Sequence, residues 1–248
     1  MDVHDRNSLL YWSPKVKNLA PVPETVWVEI EDRVVEWLDK GIPEDFINKL
    51  KERAKEIGYP LFMRTDQFSG KHSYKNTCYV KSEDNLRRNL FRLIEENECA
   101  SVVGLPVNAI VLRKFIELDW RFHAFSGLPI AVEVRYFIRD NDVQCWHFYW
   151  PEDAIRFVEE DVDWRSELHN MVVEAELDVD IHMKYAKRVA REIDGYWSID
   201  FARAKSGEWY LIDMAIGEES YHPSECEFLT HEEREEMLIY EGKKKWLE

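Results

Sequence analysis

Two segments of the chain hold residues whose types and spacing could do chemistry. Tyr196-Trp197-Ser198-Ile199-Asp200-Phe201-Ala202 and Trp209-Tyr210-Leu211-Ile212-Asp213-Met214 each set one carboxylate in an apolar, strand-like run, and Lys205-Ser206-Gly207 joins them as a hairpin. A carboxylate among Ile199, Phe201, Ile212 and Met214 is costly to bury unless it is paired or holds a cation. If Asp200 and Asp213 face each other across the hairpin their charges repel, and a divalent cation would relieve the repulsion. The residues alone also fit two acids bonded to backbone N–H groups at strand ends. The second segment, Arg64-Thr65-Asp66-Gln67-Phe68-Ser69-Gly70-Lys71-His72-Ser73-Tyr74-Lys75, is a polar loop with one glycine and three Lys or Arg cations. It could close over phosphates with Arg64 and Lys71 as counter-charges, and its composition equally suits an ordinary surface loop.

Arg135 in PIAVEVRYFI, and Arg113-Lys114 in NAIVLRKFIEL, put cations inside strand-like runs. A guanidinium there needs an anion, which Glu133 on the same strand face or a bound phosphate could supply. Cations on separate strands plus a carboxylate-bearing hairpin make the pattern expected of a polyphosphate–Mg²⁺ site. No GxxxxGK[ST] or GxGxxG run is present, so Walker-type and dinucleotide loops are excluded. His72 and His222 read as polar loop residues that could meet a substrate.

The elements that must position these groups follow from periodicity. Thr25 to Ile30 reads as a strand. Pro43 to about Ile57 reads as a helix whose apolar positions are Phe46, Ile47, Leu50 and Ala54, with Gly58 ending it. Pro60 to Arg64 and Thr77 to Val80 form a hairpin around the basic loop. Ser82 is a candidate N-cap for a helix burying Leu86, Leu90, Leu93 and Ile94. Strands are expected at Asn108 to Ile116, at Pro129 to Ile138, and at Val143 to Tyr149 after an Asp140-Asn141-Asp142 turn. Helices are expected over about 152–176 and 181–193, and a charged helix after His231. Helices and strands do not alternate regularly, which predicts an α+β fold with antiparallel sheets.

The 248 residues carry 33 Lys+Arg and 49 Asp+Glu, a net charge of −16 that disfavours coating a nucleic acid or an anionic membrane. No apolar run approaches the roughly 20 residues of a spanning helix. The N-terminal MDVHDRNSLLYWSPK lacks the apolar core of a secretory signal, so a cytoplasmic location is expected. The four cysteines include no CxxC pair and are expected to be reduced thiols with no ligand set among them. Aromatic residues make up 13%, with a dense run at Gln144 to Pro151, which suggests a wide flat core or a ring-lined groove.

In order and spacing, the basic loop, Leu112-Arg113-Lys114-Phe115-Ile116-Glu117, Glu133-x-Arg135 and Asp200 with Leu211-Ile212-Asp213 resemble the ATP-grasp superfamily over about residues 60–222. The closest likeness is to its small arginine/lysine-rich clade of microbes and phages. A more distant one is to the eukaryotic cell-division-cycle ATP-grasp proteins that assist assembly of a translation initiation complex. The resemblance implies two lobes with mainly antiparallel sheets around a nucleotide cleft: residues 1–59 as an N-terminal small lobe, 60–106 as the flap subdomain and 107–248 as the metal- and phosphate-binding subdomain. It implies ATP and Mg²⁺ as cofactors. Arg64, Gly70 and Lys71 would sit at the phosphates and Arg113, Lys114, Phe115 and Ile116 at the adenine hinge. Glu117 would lie by the ribose, Arg135 at the terminal phosphate with Lys71 as its catalytic companion, and Asp200 and Asp213 on the metal. The implied activity is ligation of a carboxylate to an amine or thiol through an acyl-phosphate, on small-molecule or peptide substrates. The alternative is an ATP-binding clamp that grips a protein partner without turnover. One departure stands out: Ala215 occupies the place of a metal-ligand Asn, which leaves Glu218 or Glu219 to substitute or the site one ligand short. A polynucleotide ligase is disfavoured, because no KxDG-type lysine motif is present.

Overall fold

A computed structural model of the chain describes residues 5–31, 33–100 and 105–246, with side chains described through residue 239. Two apolar cores form around two four-stranded sheets, and every strand pair among the described residues is antiparallel. The first sheet has the order β1-β4-β2-β3, from β1 (Thr25–Glu29), β2 (Leu61–Thr65), β3 (Tyr79–Val80) and β4 (Ala109–Lys114). Helices α2 (Glu36–Lys40), α3 (Glu44–Ile57) and α4 (Glu83–Cys99) belong to its core. The α3 register buries Phe46, Ile47, Leu50, Ala54 and Ile57 on one face, and Gly58, at φ 81°, turns the chain out of the helix. Leu86, Leu90, Leu93 and Ile94 of α4 fill the same core.

The second sheet has the order β10-β9-β7-β8, from β7 (Glu133–Arg139), β8 (Asp142–Phe148), β9 (Trp197–Arg203) and β10 (Trp209–Ile216). Asp140 and Asn141, both at positive φ (55° and 63°), make the tight β7–β8 turn, as their residue types suggest. Alternation along these strands separates two faces. Tyr136 and Phe201 belong to the face against α5 (Trp164–Leu177) and α6 (Val179–Glu192): Tyr136 bonds His182 of α6, and Phe201 stacks on Tyr185. Glu133, Arg135 and Asp200 belong to the other. A separate ribbon pairs β5 (Trp120–Ala124) with β6 (Leu128–Ala131); α1 (Leu9–Val16) packs near β10, and α7 (His231–Trp246) ends the described chain.

Several expectations shift. Pro129 to Ile138 is not one strand, because the chain changes partners at Val132: β6 pairs with β5, while β7 pairs with β8 and β9. The acidic stretch becomes helical only at Trp164, where the Asp163 side chain accepts from the Ser166 N–H, and upstream Glu160 is drawn to the His123 backbone and ring instead. Ser82 starts α4 without a side-chain cap; its hydroxyl bonds Asn85. Helices α1 and α2 and strand β5 are additional.

The N-terminal helix is tied to the first sheet by Asp66, which is fully buried. Its carboxylate accepts from Ser8 Oγ (2.7 Å), Asn108 N (2.9 Å) and Asn108 Nδ2 (2.9 Å), and its carbonyl accepts from Leu9 N (2.7 Å). Removing the carboxylate strands buried donors on two segments. Asp66→Ala should lower the unfolding free energy in urea by about 2–3 kcal/mol, whereas Glu56→Ala on the exposed face of α3 should stay within about 0.5 kcal/mol.

Candidate functional site

A cavity of about 380 Å³ lies between the two sheets. Strands β2 and β4 supply Arg64 and Arg113 from one side; β7, β9 and β10 supply Glu133, Asp200 and Asp213 from the other. The segment after β2 adds Lys71, and the segment after β4 adds Phe115, Ile116 and Glu117.

A local irregularity in β10 sets the acidic side. Leu211 opposes Phe201, but the next matched pair is Asp213 with Asp200, so Ile212 is the extra residue of a β-bulge. A regular strand would put Ile212 opposite Asp200; the bulge re-aims the chain so that the two carboxylates face each other. The same bulge presents the Ile212 carbonyl to Arg113 Nη1. Each acid has a cation. Arg135, the register partner of Asp200 on β7, grips it with Nε and Nη2, both at 2.8 Å. Arg64 Nη1 reaches Asp213 Oδ1 at 2.8 Å from the opposite sheet. The anion for Arg135 is thus Asp200 rather than Glu133.

Glu133 takes a different place. It is buried, lines the cavity, and its Oε1 has no hydrogen-bond partner, with Lys71 Nζ 4.0 Å away. Burial pushes its carboxyl up to about 7, with Lys71 opposing and Asp200 adding to the rise. Lys71 donates to Tyr149 Oη at 2.7 Å and lies over the Tyr149 and Trp150 rings. Burial works against its charge, but Tyr149 and Glu133 outweigh that and raise its pKa. Arg113 is lowered by burial and by neighbouring Arg64, and its Nε has no partner; a guanidinium keeps its charge even so. Arg64, Lys71, Lys75, Arg113 and Lys114 all border this one cavity, a local excess of positive charge in a chain of net charge −16. The other end is apolar: Tyr74 stacks on Tyr79 (5.3 Å between centroids), and Tyr79 meets Phe115 edge-on.

Of the residues singled out in the sequence, Arg64, Lys71, Arg113, Lys114, Phe115, Ile116, Glu117, Asp200 and Asp213 border the cavity. Gly70 and Arg135 do not: Gly70 is buried beside Thr77, whose hydroxyl donates to its carbonyl, and Arg135 stands behind Asp200. The backbones of Arg113 and Lys114 are engaged in the sheet, opposite Phe62 and Leu61 of β2, so the chain leaves the sheet at Phe115. His72 stacks on Phe125, and His222 bonds Cys145 and Tyr196. Glu219 accepts from Asn7, and Glu218 is exposed, so neither fills the place of the absent Asn; Glu133 is the third carboxylate of the cavity. Its signal in the sequence was the two-residue step to Arg135, which places both on one face.

Because the Glu133 carboxyl sits above its ordinary 4.5, the folded protein binds more protons than the unfolded chain between about 4.5 and 7. That contribution to stability is complete below the unfolded value and is lost as pH rises through about 7. Glu133→Gln should flatten this fall in thermal midpoint between pH 5 and pH 8 (set by the ordinary and raised carboxyl values). An unchanged slope would assign the fall to other groups.

Comparison with known proteins bears on the whole arrangement. Residues 54–232 match the family described as ATP-grasp domain, arginine/lysine-rich clade family 3. Among solved structures, C-terminally truncated Cdc123 from Schizosaccharomyces pombe aligns over 90% of this chain and 86% of its own, at 12% identity and TM-score 0.55. Cdc123 from the same yeast aligns over 95% and 89%, at 14% identity and TM-score 0.52. N5-carboxyaminoimidazole synthase from Aspergillus clavatus, solved with ADP and 5-aminoimidazole ribonucleotide, gives 11% identity and TM-score 0.49 over 84% of this chain. This chain spans 44% of that synthase's length. No curated protein sequence matches. With the family model covering most of its length, the chain belongs to the ATP-grasp domain family, in family 3 of the arginine/lysine-rich clade.

Proposed function

We propose that the chain is an ATP- and Mg²⁺-dependent ligase that joins a carboxylate to an amine or thiol. The observation that carries this reading is the single cavity bordered by clustered cations, three carboxylates and an aromatic slot. In this reading the adenine lies against the chain at Phe115 and Ile116, with Glu117 by the ribose. Arg64, Arg113 and Lys71 neutralise the phosphates. Their positions are fixed before any ligand arrives, so little reorganisation is needed as charge develops.

The residues fit a magnesium ion. Hard oxygen ligands are available from Asp213, Asp200 and the unpartnered Glu133 Oε1, and Mg²⁺ commonly takes one or two carboxylates plus phosphate oxygens. Asp200 accepts one bond from Arg135 on each oxygen, which leaves a lone pair on each. Bound there, the ion would supply charge neutralisation at the transferring phosphoryl group. Arg135 orients Asp200 from behind, and Glu133 stands in for the Asn that Ala215 replaces. Among the described residues no helix is long and apolar enough to cross a membrane; a cytoplasmic location fits this reading.

Ala215 favours a second reading, an ATP-dependent clamp for a protein partner, since a methyl group cannot coordinate a metal. Incubation with ATP, Mg²⁺ and pooled amino acids separates the two. The ligase releases ADP and phosphate in an amino-acid-dependent way, whereas the clamp binds ATP without release. Asp213→Asn should weaken Mg²⁺-dependent ATP binding about tenfold or more; wild-type binding would remove Asp213 from the metal site. Lys71→Ala should weaken ATP binding about tenfold and leave adenosine binding unchanged; equal loss of both would mean the slot has collapsed.

A further inference from the structure

The face of the second sheet that carries Arg135 continues away from the cavity to a group the nucleotide reading does not use. On β8, Cys145 and His147 lie two residues apart, opposite Phe137 and Arg135. The segment after β10 brings His222 and Cys226 onto them. One ligating atom from each of the four lies within 4.8 Å of the other three, and Cys145 Sγ is 3.2 Å from His222 Nε2. His222 and Cys226 are buried, and the Nε2 of His147 is buried with no hydrogen-bond partner. None of the four borders the cavity.

We infer that Cys145, His147, His222 and Cys226 form a structural zinc site. Two thiolates and two imidazoles match the tetrahedral donor sets of closed zinc centres, where bonds of about 2.3 Å to sulfur and 2.0–2.1 Å to nitrogen place the ligand atoms roughly 3.4–3.8 Å apart. A cluster already within 4.8 Å needs only a small inward movement. Soft sulfur and imidazole donors select zinc over magnesium, so this site and the carboxylates at Asp200 and Asp213 do not compete for one ion. Groups behind the ligands hold them in place. Tyr196 Oη lies 3.2 Å from His222 Nδ1, which leaves Nε2 for the metal. The Phe137 ring is stacked on His222, with centroids 3.7 Å apart and planes 5° from parallel.

A thiol–imidazole pair could instead suggest a nucleophile, but two cysteines with two histidines, buried and away from the cavity, leave no open position for a substrate. The ion would staple the edge strand β8 to the 217–230 segment, which has only one 3-10 turn (Gly217–Glu219) of regular structure. Within that segment the Tyr221 carbonyl accepts from Arg135 Nη1 at 3.5 Å, so the staple also backs the residue that orients Asp200. Sequence inspection for CxxC misses the set. Its halves, Cys-x-His on a strand and His-x3-Cys in a loop, are 77 positions apart from Cys145 to His222 and meet only through the fold.

The test is the metal content of the full chain, prepared without a histidine tag and freed of loose metal. Elemental analysis should give about one zinc per chain. The double variant Cys145→Ser, Cys226→Ser should lose about 90% or more of it, while Cys99→Ser and Asp213→Asn keep it. If the double variant does not fold, the wild-type chain stripped with chelator decides: Co²⁺ should give the visible absorption of a tetrahedral thiolate site, and Zn²⁺ should abolish it and raise the thermal midpoint. Zinc-free protein that gives no cobalt spectrum, full zinc retained by the double variant, or a Cys145–Cys226 disulfide in freshly isolated protein would each overturn the assignment. The result is independent of the nucleotide reading, since loss of ATP binding in Asp213→Asn leaves the zinc in place.

Discussion

Arg64 and Asp213 meet across the seam between the two sheets, and most of the candidate site is organised around that contact. Arg64 is almost wholly buried on β2, while Asp213 stands at the bulge of β10. Taking a guanidinium out of water is expensive, and one carboxylate at 2.8 Å offsets the cost only in part. A second guanidinium, Arg113, shares the same ground with only the Ile212 carbonyl as its partner. The seam therefore carries uncompensated positive charge, a condition that a polyanion relieves and a neutral ligand does not. ATP-grasp membership and the physics of the seam point to the same ligand from separate directions.

The acidic side follows the same logic. Asp200 and Asp213 would repel as bare neighbours, yet each is held by an arginine from a different strand, Arg135 within its own sheet and Arg64 across the seam. Glu133, without a hydrogen-bond partner on Oε1, is the member of the set poised to change state. A carboxyl near neutrality in an apolar wall can be protonated when the cavity is empty and ionised when a cation arrives. Such a site stores destabilisation in the free protein and releases it on binding, which is the usual relation between stability and function at charged clefts.

Much of this was legible in the sequence because strand alternation is a strong signal. Asp200 and Asp213 in a hairpin, Arg64 before a basic loop, and the run from Arg113 to Glu117 all declare themselves by position. What escaped depends on contacts between distant segments. The Ile212 bulge decides which residue opposes Asp200, and no residue type there announces it. The partner of Arg135 is Asp200 rather than the nearby Glu133, because β7 and β9 are neighbours in space and not in sequence. Asp66 looked like one polar residue in a polar loop, yet it is the buried tie between Ser8 and Asn108. Two cysteines and two histidines met for the same reason, through the return of the chain after β10.

The most direct test is a crystal structure of the chain with a non-hydrolysable ATP analogue and Mg²⁺. The account predicts the triphosphate in the seam, with Arg64 and Lys71 turned onto its oxygens, Asp213 released from Arg64 onto the ion, and the base against Phe115. A nucleotide bound elsewhere, or one bound in the seam with its phosphates in solvent and the Arg64–Asp213 contact intact, would contradict it.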